Sequence, residues 1–178
     1  MVTHSALVFV DWDSARRIIN SGTISAGKRP EREIEDAIEA LQNEVARVLP
    51  KREVYRVSWR IYHGWHKGTT PTTDRREFEE FVNRYSARSV EKISFGRDFA
   101  FGDQMLCDSR RSPLRYTLRI LERKRVQKMI DTSLVADLLQ AARSRDHDRL
   151  IVIGDDDDLL PGLFVAEKWE APVHLLRV

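Results

Sequence analysis

The feature that most constrains this chain is Leu150-Ile151-Val152-Ile153-Gly154, an apolar run that leads straight into Asp155-Asp156-Asp157-Asp158. Crowded carboxylates repel one another, so four in a row call for a cation or for a solvated loop that absorbs their charge. A second acidic strand end stands near the start, where Ala6-Leu7-Val8-Phe9-Val10 runs into Asp11-Trp12-Asp13-Ser14. Both apolar runs have the length and β-branched content of buried strands. In an open α/β sheet, ligands sit at the carboxyl ends of strands, near the point where strand order reverses. Two acidic strand ends therefore predict one metal site.

The rest of the chain alternates between the two periodicities. A polar loop over about 20–30 precedes a helix from near Glu31, with Ile34, Ala37, Ile38, Leu41, Val45 and Val48 on one face and Pro50 as its stop. Val54 to Tyr62 reads as a second strand, ending at a loop that contains His63, Trp65, His66 and Lys67. Thr73-Asp74 reads as the cap of a helix through Phe78, Phe81, Val82 and Tyr85, and Val90 to Phe95 is a third strand. The stretch 96–129 breaks the rhythm and reads as a loop or hairpin insertion followed by strand-like or helical structure. Asp131-Thr132-Ser133 then opens a helix, followed by a strand over Leu150–Ile153, a helix from about Leu159 to Trp169 and a last strand over Val173–Val178. This order predicts a three-layer α/β/α fold with a mostly parallel central sheet. At 178 residues, 42% hydrophobic and 33% charged, the chain reads as one globular domain over 1–178, with a basic insertion around 96–128.

Charge and cysteine content narrow the function classes. The net charge is only +2, so attraction to a polyanion depends on where the charges lie. The single cysteine, Cys107, makes no internal disulfide, which suits a reducing cytoplasm, and no Cys/His cluster offers a structural zinc site. No secretion signal and no apolar stretch near the ~18 residues of a membrane span is read in the sequence. Between Arg110 and Lys128 the chain carries eight cations against Glu122 alone. Arg111, Arg115, Arg119, Arg123, Lys124 and Lys128 are the candidate phosphate contacts in this strip, and Tyr116 a candidate stacking residue. The plainer alternative is a solvated charged face.

The acids have plainer alternatives as well. Asp11 either terminates its strand as a helix cap or presents a carboxylate at the sheet's carboxyl edge. One aspartate suffices to cap a helix after Ile153, so four favour cation binding. Asp131 and Asp137, six residues apart, project in different directions on a regular helix. Either alone reads as a cap or a surface acid, and only their company with the other strand-end acids gives them weight. Such hard oxygen donors suit Mg²⁺ or Mn²⁺ in phosphoryl chemistry.

Together, Asp11-Trp12-Asp13-Ser14, the segment from Lys128 through Asp131 to Asp137, and Asp155 to Pro161 resemble the NYN domains of the PIN-like nuclease superfamily. The resemblance spans the chain, except that 96–125 looks particular to it. It implies a metal-dependent ribonuclease, endonucleolytic, acting on single-stranded or structured RNA more than on DNA. The implied catalytic and metal-binding carboxylates are Asp11, Asp131, Asp137, Asp156 and Asp158. Counting back from Pro161 selects Asp156 and Asp158, whereas counting forward from Gly154 selects Asp155 and Asp157. Ser14 stands where the family commonly has asparagine, which leaves one orienting hydrogen bond open.

Two other readings remain at this level. In a haloacid-dehalogenase-like phosphatase, Asp11 is the nucleophile, Asp13 the general acid, Lys128 the neutralising lysine, and Asp155 and Asp158 hold Mg²⁺. That pattern expects threonine or valine where Ala15 and Arg16 stand. A non-cleaving NYN-like module would instead bind RNA or a protein partner, and the sequence leaves homodimerisation open.

Overall fold

The computed structural model describes residues 2–19, 30–67, 70–106, 118–121, 124–127 and 129–178. Ten strands and five α-helices follow one another in these segments. The order is β1 (Thr3–Asp11), α1 (Trp12–Ala15), α2 (Pro30–Val48), β2 (Val54–Tyr62), β3 (His66–Lys67), β4 (Thr70–Pro71), α3 (Thr73–Arg84), β5 (Arg88–Val90) and β6 (Ile93–Phe101). There follow β7 (Leu118–Leu121), β8 (Lys124–Gln127), α4 (Ile130–Ser144), β9 (Arg149–Ile153), α5 (Leu160–Lys168) and β10 (Val173–Leu176).

Six strands form the central sheet in the order β10-β9-β1-β2-β6-β5. All its pairings are parallel except the edge hairpin of β5 with β6. A strand inside such a sheet is buried on both faces, which is why β1 and β9 are apolar without alternation. Ala6, Val8 and Val10 pack with Ile38, Leu41 and Val45 of α2 and with Phe78 and Phe81 of α3. Leu7 and Phe9 point the other way, into Leu134 and Leu138 of α4 and Leu163 and Ala166 of α5. Helices thus cover both faces, giving the three-layer α/β arrangement.

The long apolar repeat makes α2 a helix, and Pro50 lies just beyond its end. β2 occupies the residues its alternation predicts. β6 corrects the sequence reading, which ended the third strand at Phe95 and began the insertion at 96. The strand continues to Phe101, and its pairing with β2 steps from Phe95↔Val57 to Phe99↔Trp59. The bulge spans Gly96, Arg97 and Asp98, which interrupt the alternation, and Phe99 then resumes it by stacking on Trp59. The predicted cap of one helix and the predicted start of another also shift. Thr72 rather than Thr73 caps α3 by accepting from the Arg75 N–H at 3.3 Å, and α4 begins at Ile130 after Met129 at φ 68°.

Gly102 follows β6 and lies flat on the buried Tyr62 ring. A Cβ there would stand 2.1–2.6 Å from three ring carbons. The ring has no room to retreat, because the Tyr62 hydroxyl is itself held at 2.7 Å by Asp137. Gly102→Ala is therefore expected to destabilise the fold by about 1–3 kcal/mol, measured as a shift of the urea unfolding midpoint.

Candidate active site

From β1 the chain builds outward to β2 and β6, then returns to place β9 on the other side of β1. Strand order reverses between β1 and β9, so the crevice beyond their carboxyl ends is where an open α/β sheet binds ligands. The pairing Val10↔Ile153 brings Asp11 beside Gly154. A Cβ on Gly154 would stand 2.8 Å from Leu159 Cδ1 and 3.3 Å from Asp11 Cβ. Glycine is what lets the two acidic strand ends come this close.

Asp11 fills both roles offered by the sequence. It caps α1, its Oδ1 accepting from the Asp13 N–H at 3.1 Å, and it lies at the carboxyl edge of the central strand. Ser14 Oγ donates to Asp11 Oδ2, so serine supplies an orienting hydrogen bond to this carboxylate. Since α1 starts at Trp12, Asp13 does not continue the strand direction of Asp11. It pairs instead with Arg16 at 2.8 Å and with His63 Nδ1 at 3.0 Å.

The four aspartates divide into two pairs. Asp155 and Asp157 face Arg177, with contacts of 3.4 Å and 2.6 Å. Asp156 caps a short 3-10 turn, its Oδ1 accepting from the Asp158 N–H at 2.9 Å. The charges of Asp156 and Asp158 fall on Asp131, in the first turn of α4. No side chain caps that helix, and among the described residues nothing hydrogen-bonds or pairs with the Asp131 carboxylate. Partial burial, followed by the negative charges of Asp11, Asp156, Asp158 and Asp13, raises its pKa above the ordinary 3.8. Acids from two separate parts of the sequence thus act on a half-buried carboxyl from a third.

Asp137 differs from its implied role as a metal ligand. It is fully buried, and both oxygens are engaged: Oδ1 accepts from the Leu106 N–H at 2.7 Å, and Oδ2 from Arg60 at 2.8 Å and Tyr62 at 2.7 Å. The same Arg60 guanidinium donates to the Gln104 carbonyl. A six-residue step turns Asp137 away from Asp131 and under the sheet, where it neutralises a buried arginine and anchors the segment after β6. Arg60 and Tyr62 were missed in the sequence. The available signal was a cation, Arg60, flanked by the apolar Trp59, Ile61 and Tyr62 at the end of β2.

His63 bridges two acids, with Nδ1 3.0 Å from Asp13 and Nε2 2.9 Å from Asp74. Burial opposes its charged form, but hydrogen bonds and charge from Asp13 and Asp74 outweigh this and raise its pKa above 6.5. The hydrogen bond from His63 in turn lowers the pKa of Asp13, against the opposing effect of burial. Trp65 of the same loop is fully buried against Phe78 and Phe101, which makes it a core residue rather than a contact. In the basic strip, Arg119 lies on β7 and Lys124 on β8, an antiparallel hairpin. Arg111, Arg115, Arg123 and Lys128, with Tyr116 and Cys107, lie outside the described residues.

The donor chemistry of Asp11, Asp131, Asp156 and Asp158 fits a hard divalent cation, which would relieve the repulsion on Asp131. Among the described residues, however, no three His, Cys, Asp or Glu side chains stand in an arrangement that could hold a metal ion. Binding one requires these carboxylates to draw inward. No helix among the described residues is long and apolar enough to cross a membrane. Comparison of the chain with protein-family models, with curated proteins and with solved structures returns no match.

Two stability measurements follow from this geometry. Removing the Asp137 carboxylate leaves Arg60 buried without its partner, so Asp137→Ala is expected to lose about 3–5 kcal/mol in urea unfolding. The pH effects run in a defined direction. A folded-state pKa raised at Asp131 means stability falls as pH climbs from 3.8 through the folded value, so Asp131→Asn should raise the Tm at pH 7 in EDTA. A raised His63 pKa likewise gives stability that is fully present below 6.5 and lost as pH rises through the folded value. His63→Gln should flatten that part of the Tm against pH curve.

Proposed function

We propose that this chain is a divalent-metal-dependent nuclease that hydrolyses phosphodiesters of RNA, cutting internally. The observation that carries the reading is the convergence of negative charge from Asp11, Asp156 and Asp158 on half-buried Asp131 at the strand-order reversal. Asp131 has no partner among the described residues, and a cation at this ligand-binding edge of the sheet would relieve the repulsion. The resemblance of the three acidic motifs to NYN domains directs the reading to RNA, and the basic composition of 110–128 agrees with a polyanionic substrate.

In this reading, Asp11, Asp131, Asp156 and Asp158 hold Mg²⁺ or Mn²⁺. A cation held there would provide Lewis-acid activation of water and neutralisation of charge on the phosphate under attack. The chain's own residues prepare the place. Ser14 Oγ and the Asp13 N–H restrain the Asp11 carboxylate from both sides. Arg177 draws Asp155 and Asp157 aside, so the crevice carries two fewer competing charges. Asp137 acts as a positioning residue, fixing the chain after β6 through Arg60 and the Leu106 N–H.

The phosphatase reading fits less well. It needs Asp13 to deliver a proton, yet Asp13 sits between Arg16 and His63, whose hydrogen bond stabilises the ionised carboxylate. It also needs Asp155 on the cation, and Asp155 pairs with Arg177.

End-labelled single-stranded RNA, incubated with Mg²⁺, Mn²⁺ or EDTA, tests the proposal. Metal-dependent internal cuts are expected from the wild type. Asp11→Asn and Asp156→Asn should lose them, while Asp155→Asn and Asp157→Asn should keep them. Ser14→Ala should slow cutting by about 10- to 100-fold. Cutting that persists in EDTA, or that survives Asp11→Asn, contradicts the proposal. RNA bound without cutting makes the chain a binding module.

A further inference from the structure

Beside the acidic crevice lies an open cavity of about 690 Å³ that none of the roles above accounts for. Its lining includes Lys67, Arg76, Thr70, Thr73, His63 and Asp74. Hydroxyls and cations supply most of its polar groups, and polar and apolar surface share the wall about equally. Among the described residues, no carboxylate pairs with either Lys67 or Arg76. The acids present nearby are already balanced. Arg16 reaches Asp13 at 2.8 Å and Asp74 at 3.5 Å, and His63 bridges the same two carboxylates. Among the described residues, Lys67 and Arg76 are thus exposed cations without a carboxylate partner, Arg76 donating to the Pro71 carbonyl at 3.3 Å.

The cavity has two neighbours that matter. His63 joins it to the crevice, since the carboxylate on its Nδ1 side is Asp13, whose charge reaches Asp131 and whose N–H restrains Asp11. On the far side, β3, which carries Lys67, lies against β8 of the basic hairpin.

From this juxtaposition we infer that the cavity is a phosphate subsite: Lys67 and Arg76 hold a backbone phosphate of single-stranded RNA next to the phosphodiester at the acidic crevice. The inference rests on the nuclease reading for its substrate class. It adds a specific role, which is to fix where along the strand the carboxylates act. Ammonium and guanidinium contacts to phosphate carry no base information, so the subsite sets register and affinity without sequence preference.

Binding of a fluorescein-labelled oligouridine, followed by fluorescence anisotropy in EDTA over a range of salt, tests this without any cutting. The double variant Lys67→Ala/Arg76→Ala is compared with wild type and with Lys51→Ala/Arg52→Ala, which removes the same charge from the loop before β2. All three should melt alike, because the substituted side chains are exposed. The cavity variant is expected to bind about 10-fold more weakly and to lower the slope of log affinity against log salt by about 1 to 1.5. The control pair should match wild type. Equal affinity in all three proteins, or an equal loss in both variants, overturns the subsite. The two proposals separate cleanly. Metal-dependent cutting with unaltered binding by the cavity variant leaves the nuclease standing and removes the subsite. Binding that depends on Lys67 and Arg76, with no cutting, retains the subsite and removes the nuclease.

Discussion

The repulsion that Asp11, Asp13, Asp156 and Asp158 exert on half-buried Asp131 has to be sustained by the remainder of the fold. Carboxylates crowded in partial burial favour protonation or separation, and separation is restrained when they are fixed to packed elements. Asp11 belongs to an interior strand of the sheet, Asp131 to the first turn of α4, and Asp156 and Asp158 to the turn before α5. The helices that carry the last three are locked to β1 and β9 through Leu134, Leu138, Leu163 and Ala166. Packing of one face of the sheet thus holds the charges together against their own repulsion.

The surrounding ionic contacts show a consistent division of labour. Other acids around the crevice are neutralised locally: Asp155 and Asp157 by Arg177, Asp13 and Asp74 by Arg16 and His63, Asp103 by Arg75 at 2.6 Å. Asp137 is neutralised most completely, inside the protein. Asp131, with no partner among the described residues, is the exception that gives the site its character. A cation there would supply the missing balance, and its affinity would have to exceed the work of drawing the carboxylates inward.

Much of the fold is legible in the sequence because burial imposes period. β1, β2, β9 and α2 follow from unbroken or regularly spaced apolar residues, and the carboxyl-edge placement of Asp11 follows from the strand it terminates. β6 is illegible past Phe95 because the Gly96–Asp98 bulge shifts the register, and only the partner strand reveals that Phe99 resumes the pattern. At the candidate site, the division of Asp155–Asp158 depends on Arg177, about twenty residues downstream, which no local count can reach. The role of Asp137 depends on Arg60 and Tyr62, 77 and 75 residues away. Spacing along a helix separates Asp131 from Asp137, but it says nothing about a buried arginine waiting beneath the sheet.

The central claim is that Asp11, Asp131, Asp156 and Asp158 form a cation site. Isothermal titration of Mn²⁺ into the wild type and into Asp131→Asn and Asp155→Asn tests it most directly, without reference to any substrate. The account predicts saturable binding by the wild type, retained in Asp155→Asn and lost in Asp131→Asn. Absence of saturable binding, or binding indifferent to Asp131→Asn, would contradict it.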